Sequence, residues 1–255
     1  MTNDEVQLIV GNTPHMSRDQ ADRMATFIAD HRIRTILELG FKHGVSTCFI
    51  AAALARTTGG SIVTIDLESA RTLSPNIEQL LERIGERDRV EVFYEPTSYT
   101  WRLMKFLEKD PTPRFDLCYL DGAHNWFVDG LAFFLVHRLL RPGGWIIFDD
   151  LDWTYESSPT LKNTEYVRKM PEDERTTAQV ERIYELLVKT HPEFEEFRRE
   201  AGWAYARRKL ASGAAERLHR ELVVEQVVRI EKVVEKVHVG LGSVLIRGAR
   251  MLLGR

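Results

Sequence analysis

Acidic side chains follow the predicted strands of this chain, and a histidine accompanies them. Asp66, Asp121 and the pair Asp149 and Asp150 each come directly after a short apolar run, and His124 follows Asp121 closely. Carboxylates gathered in one place repel one another unless a cation or protons join them. An imidazole, with an ordinary pKa of about 6.5, is suited to removing a proton from a polarised hydroxyl. We therefore take His124 as the candidate catalytic base.

A glycine-containing segment, ELGFKHG from Glu38 to Gly44, follows the first predicted strand and precedes a predicted helix. Gly40 and Gly44 would let a ligand lie against the backbone, facing the N–H groups of the helix. A dinucleotide site prefers the spacing G-x-G-x-x-G, and this segment lacks the close glycine pair. NAD and FAD are therefore disfavoured, and a simple chain turn is the alternative interpretation.

Asp66 ends the apolar run IVTIDL. A carboxylate at that point can accept hydrogen bonds from both hydroxyls of a ribose. Turn formation is the other interpretation of an acidic residue after a strand. The distance in sequence from the glycine segment to Asp66 favours the ribose interpretation.

Short apolar strands alternate with helices along most of the chain. Strands are predicted at 34–40, 62–67, 90–94, 115–120, 145–148 and 202–209, and helices at 17–31, 45–56, 74–84, 99–109, 127–140 and 178–190. This alternation predicts an α/β fold: a Rossmann-like, doubly wound, mostly parallel sheet with an N-terminal helix and a C-terminal helical extension. Ligands of such sheets bind beyond the carboxyl ends of the strands, where the acidic residues fall.

The chain also divides by composition, because residues 201–255 are basic and the preceding part is acidic. We predict an N-terminal helical segment over 1–32, a ligand-binding domain over 33–210 and an amphipathic helical tail over 211–255. Apolar residues at heptad spacing in the tail predict packing on the domain or on a partner subunit, hence a homo-oligomer. The basic segment 243–255 is also suited to peripheral contact with an anionic membrane.

The overall composition excludes several classes of protein. The 255 residues are 44% hydrophobic and carry a formal net charge of -3, which excludes global disorder. Cys48 and Cys118 lie in separate apolar runs, so we predict buried, reduced thiols and no cysteine metal cluster.

The chain shows neither a secretory signal nor an apolar run of about 18 residues, so we expect a soluble, cytoplasmic protein. Nucleic acid is not expected as a partner, because the main domain is acidic and the basic tail has no aromatic residue after Tyr205.

Four segments together resemble the class I S-adenosylmethionine-dependent methyltransferases: ILELGFKHGVS, IVTIDLE, FDLCYLDGAH and LLRPGGWIIFDD. More narrowly, they are similar to the family that includes macrolide-sugar O-methyltransferases and cephalosporin-hydroxylase-like proteins. The resemblance covers residues 33–152 and implies the methyltransferase fold with S-adenosylmethionine as cofactor.

The resemblance also implies roles for the matching positions. The first group would hold the amino-acid end of the cofactor, its ribose and its adenine; it comprises Glu38, Gly40, Gly44, Ser46, Asp66, Thr97, Ser98 and Asp121. The second group would hold the family's divalent metal; it comprises Asp121, Asp149 and Asp150. Hard oxygen ligands in an open site suit Mg²⁺.

The combined expectation is an S-adenosylmethionine-dependent, Mg²⁺-assisted O-methyltransferase. Its acceptor would be a hydroxyl of a sugar or of another small polyoxygenated metabolite. One alternative is a non-catalytic, nucleoside-binding adaptor that works through its helical tail. Another is a catechol-type O-methyltransferase, whose acceptor pocket would be aromatic; Trp126, Trp153 and Tyr155 are candidates for lining a pocket.

Overall fold

The computed structural model describes residues 1–14 and 16–210. The chain divides into two units, Met1–Lys209 and Leu210–Arg255. The predictions made for the tail over 211–255 lie outside the described residues. Within residues 1–14 and 16–210, none of the helices combines the length and the apolar character that crossing a bilayer requires.

Seven strands and nine α-helices form the described part. The strands are β1 (Thr35–Leu39), β2 (Ser61–Leu67), β3 (Val90–Glu95), β4 (Phe115–Leu120), β5 (Leu140–Phe148), β6 (Phe194–Glu200) and β7 (Trp203–Arg208). The helices are α1 (Asn3–Val10), α2 (Arg18–Asp30), α3 (Val45–Thr57), α4 (Ile77–Ile84), α5 (Tyr99–Lys109), α6 (Trp126–Leu139), α7 (Glu165–Arg168), α8 (Glu172–Thr176) and α9 (Gln179–Ile183).

The strands form one sheet in the order β3-β2-β1-β4-β5-β7-β6. β1 to β5 are parallel, whereas β7 pairs antiparallel with both β5 and β6. The predicted doubly wound, mostly parallel fold is confirmed. The strand order reverses between β1 and β4, so the carboxyl ends of these two strands border the crevice where such folds bind ligands.

Helices cover both faces of the sheet, and the strand residues alternate between two cores. Ile36 of β1 and Leu117 of β4 belong to the core under α1 to α4, whereas Leu37 belongs to the core under α5, α6 and α9. Both faces are buried, which explains the near-continuous apolar strands. Cys48 and Cys118 are buried free thiols, as predicted.

The structure corrects several predicted boundaries. α4 begins at Ile77 because the Asn76 side chain caps it, so Pro75 precedes the helix rather than lying in its first turn. The predicted N-terminal helical segment over 1–32 contains two helices, α1 and α2, where one was predicted at 17–31, and the strand β6 was not predicted. β6 has the sequence FEEFRRE and lies at the edge of the sheet, where charged residues are tolerated. Its sequence therefore lacks the apolar pattern by which the other strands were predicted.

Candidate active site

Glu38, near the carboxyl end of β1, is completely buried and holds the start of α3. Its carboxylate accepts hydrogen bonds from the hydroxyls of Ser46 at 2.6 Å, Thr47 at 2.5 Å and Thr64 at 2.6 Å. Burial raises the pKa of Glu38 to about 7, although these three hydroxyls lower it. Through these hydrogen bonds, Glu38 joins β1 to the start of α3 and to β2, and so orders the turn between β1 and α3.

The two glycines of this turn are required by close packing. Both Gly40 and Gly44 have a φ of +88°. A Cβ on Gly40 would lie 2.0 Å from the carbonyl oxygen of Asp121, and one on Gly44 would lie 2.5 Å from Cγ1 of Ile77. The turn after β1 is thus pressed against the loop after β4, across the point where the strand order reverses.

Asp66, at the end of β2, ties β2 to the same turn. Its Oδ2 accepts the N–H groups of Phe41 at 2.8 Å and Lys42 at 2.5 Å, and its Oδ1 accepts that of Leu67 at 2.6 Å. A carboxylate has about four acceptor positions, so one position remains for another donor. Asp66 lies where a ligand in the glycine turn would meet β2.

Two further residues of the predicted cofactor group follow β3. Thr97 is exposed, and Ser98 caps α5 by accepting the N–H of Thr100 at 3.1 Å. Both lie at the same edge of the sheet as Glu38 and Asp66, because β1, β2 and β3 are parallel neighbours.

A carboxylate–histidine cluster lies at the ends of β4 and β5. The Nε2 of His124 is 3.1 Å from Oδ2 of Asp150 and 3.4 Å from Oδ1 of Asp121. One potential ligand atom from each of the three residues lies within 4.8 Å of the others. Nε2 is buried but makes no well-aligned hydrogen bond within the described residues. Such a set of oxygen and nitrogen atoms fits a divalent cation.

Asp149 has different hydrogen-bond partners from Asp150. Only 5% exposed, it accepts a hydrogen bond from the Tyr119 hydroxyl and another from Nε2 of Gln20 at 3.3 Å. Burial and the nearby charge of Asp121 raise the pKa of Asp149 to about 7. Of the predicted metal group, Asp121 and Asp150 share the cluster, His124 is its third member, and Asp149 lies behind it.

The two carboxylates of the cluster change the pKa of His124. Burial lowers the pKa of His124, but the close contacts with the Asp121 and Asp150 carboxylates and their negative charges raise it by more, to about 10. With both carboxylates ionised, the imidazole therefore carries a proton at neutral pH. It can act as a base only when the negative charge around it is neutralised.

Aromatic residues lie beside the cluster. The Trp153 ring is 4.8 Å from the His124 ring and 4.9 Å from the Tyr155 ring. Trp126, the third predicted pocket residue, is partly exposed at the start of α6. The partners of Asp149, Gln20 and Tyr119, were not predicted; Gln20 lies in the first turn of α2, where it forms a capping box with Ser17.

We expect Glu38→Gln to flatten part of the pH dependence of stability. Folding raises the pKa of Glu38 from 4.5 to about 7, so the folded state binds the extra proton and loses stability as pH rises through this window. The free energy of unfolding in urea, wild type minus variant, should fall by about 3 kcal/mol between these values. The exposed Glu91→Gln is the control. A pH-independent difference for Glu38→Gln would contradict this expectation.

Comparison with known proteins bears on these residues directly. Residues 37–151 match the family model described as "Methyltransferase domain". An O-methyltransferase of Aspergillus hancockii, hkm8, is 31% identical over 137 residues, which are 52% of this chain and 50% of that protein. The chain thus matches about half the length of this curated relative.

Solved structures share the fold. An O-methyltransferase from Bacillus cereus in complex with SAH has a TM-score of 0.58 at 24% identity, covering 81% of this chain and 90% of that one. The Streptomyces achromogenes O-methyltransferase TomG in complex with SAM has a TM-score of 0.58 at 19% identity, covering 81% and 89%. SAH-bound PaMTH1 of Podospora anserina reaches 0.60 at 19% identity, covering 82% and 87%.

The matched residues run from β1 through the end of β5 and so include the glycine turn, Asp66 and the cluster of Asp121, His124 and Asp150. The domain match and the sheet order coincide over this region, and together they support the assignment of residues 37–151 as a class I S-adenosylmethionine-dependent methyltransferase domain.

Proposed function

We propose that this chain transfers the methyl group of S-adenosylmethionine to a hydroxyl of a small molecule with the help of a divalent cation, Mg²⁺ being the first choice. The observation that carries the proposal is the contact between two features. The glycine turn lies directly against the backbone of Asp121, and Asp121 belongs to the carboxylate–histidine cluster. A cofactor in the turn would therefore lie beside groups that can hold a cation and the acceptor.

The cofactor would lie along the carboxyl ends of β1, β2 and β3. Within the described residues no side chain caps the N-terminus of α3, so its first N–H groups, including that of Ser46, suit the carboxylate of the methionine moiety. Asp66 would accept one ribose hydroxyl at its remaining acceptor position, and Thr97 and Ser98 would lie near the adenine. Glu38 would act by holding the turn, because its oxygens already accept three hydroxyls.

The cation would be held by Asp121 and Asp150 with His124 or Asp149 beside them. A bound divalent cation would neutralise the carboxylates, orient neighbouring acceptor oxygens and lower the pKa of the reacting hydroxyl. In the transfer, the acceptor oxygen bonds to the methyl carbon while the carbon–sulfur bond breaks. Nε2 of His124 has one lone pair, so it would accept the hydroxyl proton only when Asp149 completes the cation site in its place; S-adenosylhomocysteine then leaves.

The acceptor is proposed to be a sugar or another polyoxygenated metabolite. A catechol-type acceptor is the second candidate, and the rings of Trp153 and Tyr155 beside His124 favour it. Either acceptor has two neighbouring oxygens, which a cation can hold together. A panel of sugars and catechols, incubated with methyl-labelled cofactor, separates the two.

Calorimetry with S-adenosylmethionine and S-adenosylhomocysteine, in Mg²⁺ and then in EDTA, tests the proposal. We expect binding of both ligands in the micromolar range and a separate Mg²⁺ binding event that EDTA removes. Absence of cofactor binding under both conditions would contradict the enzymatic function. Cofactor binding without any effect of Mg²⁺ would contradict only the metal.

A further inference from the structure

The loop between β4 and α6 carries His124, and side chains from two helices hold its backbone. The N–H of Ala123 donates to the Tyr99 hydroxyl at 3.1 Å and to Oδ1 of Asp129 at 3.4 Å. The N–H of Asn125 donates to Oδ2 of Asp129 at 3.1 Å. These two N–H groups lie on either side of His124 in the chain, so the one carboxylate of Asp129 binds the backbone both before and after the histidine.

The Asp129 carboxylate that holds this loop is buried and fully hydrogen-bonded. Asp129 is 0% exposed in the first turn of α6, and the hydroxyl of the buried Tyr99, at the start of α5, donates a hydrogen bond to its Oδ1. A buried carboxylate is tolerated when donors satisfy it, and here a hydroxyl and two backbone N–H groups do so. Gly122 also lies against Tyr99, since a Cβ there would be 2.5 Å from the hydroxyl oxygen.

His124 needs this restraint because its own backbone is strained. Its φ is +54°, in the left-handed region. That region costs a residue other than glycine about 1 kcal/mol, so a free loop would favour another conformation. A change in this φ would turn the imidazole away from Asp121 and Asp150.

We propose that Asp129 is a positioning residue: by holding the N–H groups on both sides of His124, it aims the imidazole into the cluster with Asp121 and Asp150. Asp129 itself contacts no reacting atom. The catalytic role of the His124 imidazole rests on the function proposed above, whereas its position can be measured without cofactor, metal or acceptor.

Asp129→Asn is the test variant, because its amide has one accepting oxygen and cannot hold both N–H groups. Asp116→Asn is the matched control. Asp116 also accepts two backbone N–H groups, those of Arg34 and Thr35, each at 2.9 Å. It lies near the start of β4, at the other end of the strand from the cluster.

Three measurements follow the effect: hydrogen–deuterium exchange of the peptide 121–126, the NMR signal of the His124 ring (assigned with His124→Asn), and a titration with Co²⁺ read by its absorption spectrum. For Asp129→Asn we expect about 10-fold faster exchange, a shifted ring signal and about 10-fold weaker Co²⁺ binding, the usual effect of losing an outer-shell partner. Asp116→Asn should leave all three at the wild-type values.

Unchanged exchange and an unmoved His124 signal in Asp129→Asn would overturn the proposal. Equal changes in Asp116→Asn would also overturn it, because they would indicate general destabilisation. If the wild type binds no Co²⁺ but Asp129→Asn still shifts the His124 signal, the positioning role is supported and the metal part of the proposed function fails.

Discussion

Asp121→Asn is expected to weaken divalent-cation binding by at least about 100-fold and to reduce methyl transfer accordingly. Asp121 belongs both to the predicted metal group and to the cluster in the structure, where its carboxylate lies 3.4 Å from Nε2 of His124. Losing an outer-shell partner of a metal costs about 10- to 100-fold in affinity, and losing a ligand should cost at least as much. Titration with Mg²⁺ or Co²⁺ by calorimetry measures the change.

Substitution of the neighbouring aspartates would identify the remaining ligands of the cation. Asp150→Asn should weaken cation binding nearly as much as Asp121→Asn. Asp149→Asn should weaken it less, because Asp149 is buried against Tyr119 and Gln20. The opposite ranking would show that Asp149 turns towards the cation when it binds. Wild-type affinity in Asp121→Asn would rule out a metal at this cluster.

Gly40→Ala is expected to abolish most of the binding of S-adenosylhomocysteine. The added methyl group would lie 2.0 Å from the Asp121 carbonyl oxygen, at a φ of +88°. The glycine turn or the β4 loop must therefore move, which displaces the backbone against which the cofactor would lie. Calorimetry measures the affinity, and circular dichroism verifies that the variant is folded.

Gly59→Ala is the matched control for this substitution. Gly59 also has a positive φ, of +67°, but no atom lies within 4 Å of its added Cβ. It should lose about 1 kcal/mol of stability from backbone strain and keep the wild-type affinity. Equal loss of affinity in both variants, or none in Gly40→Ala, would contradict the close-packing argument.

Much of the fold was predictable because it follows from local patterns. Continuous apolar strands such as FDLCYL have helices between them, and this pattern is typical of a parallel sheet covered on both faces. The carboxyl ends of such strands share one edge, so Glu38, Asp66 and Asp121 had to lie near one another. The charged edge strand β6 has no such pattern and was missed for that reason.

The amino-acid pattern was enough to predict the sheet, the glycine turn and the acidic residues at the strand ends. Which of these acids share a site depends on the folded backbone. Asp149 and Asp150 are adjacent in sequence, but Asp150 has a φ of +54°, so the chain leaves the extended conformation of β5 at this point. Asp149 therefore meets Gln20 from α2, and Asp150 meets His124. Such contacts join residues far apart in the chain, and no local pattern encodes them.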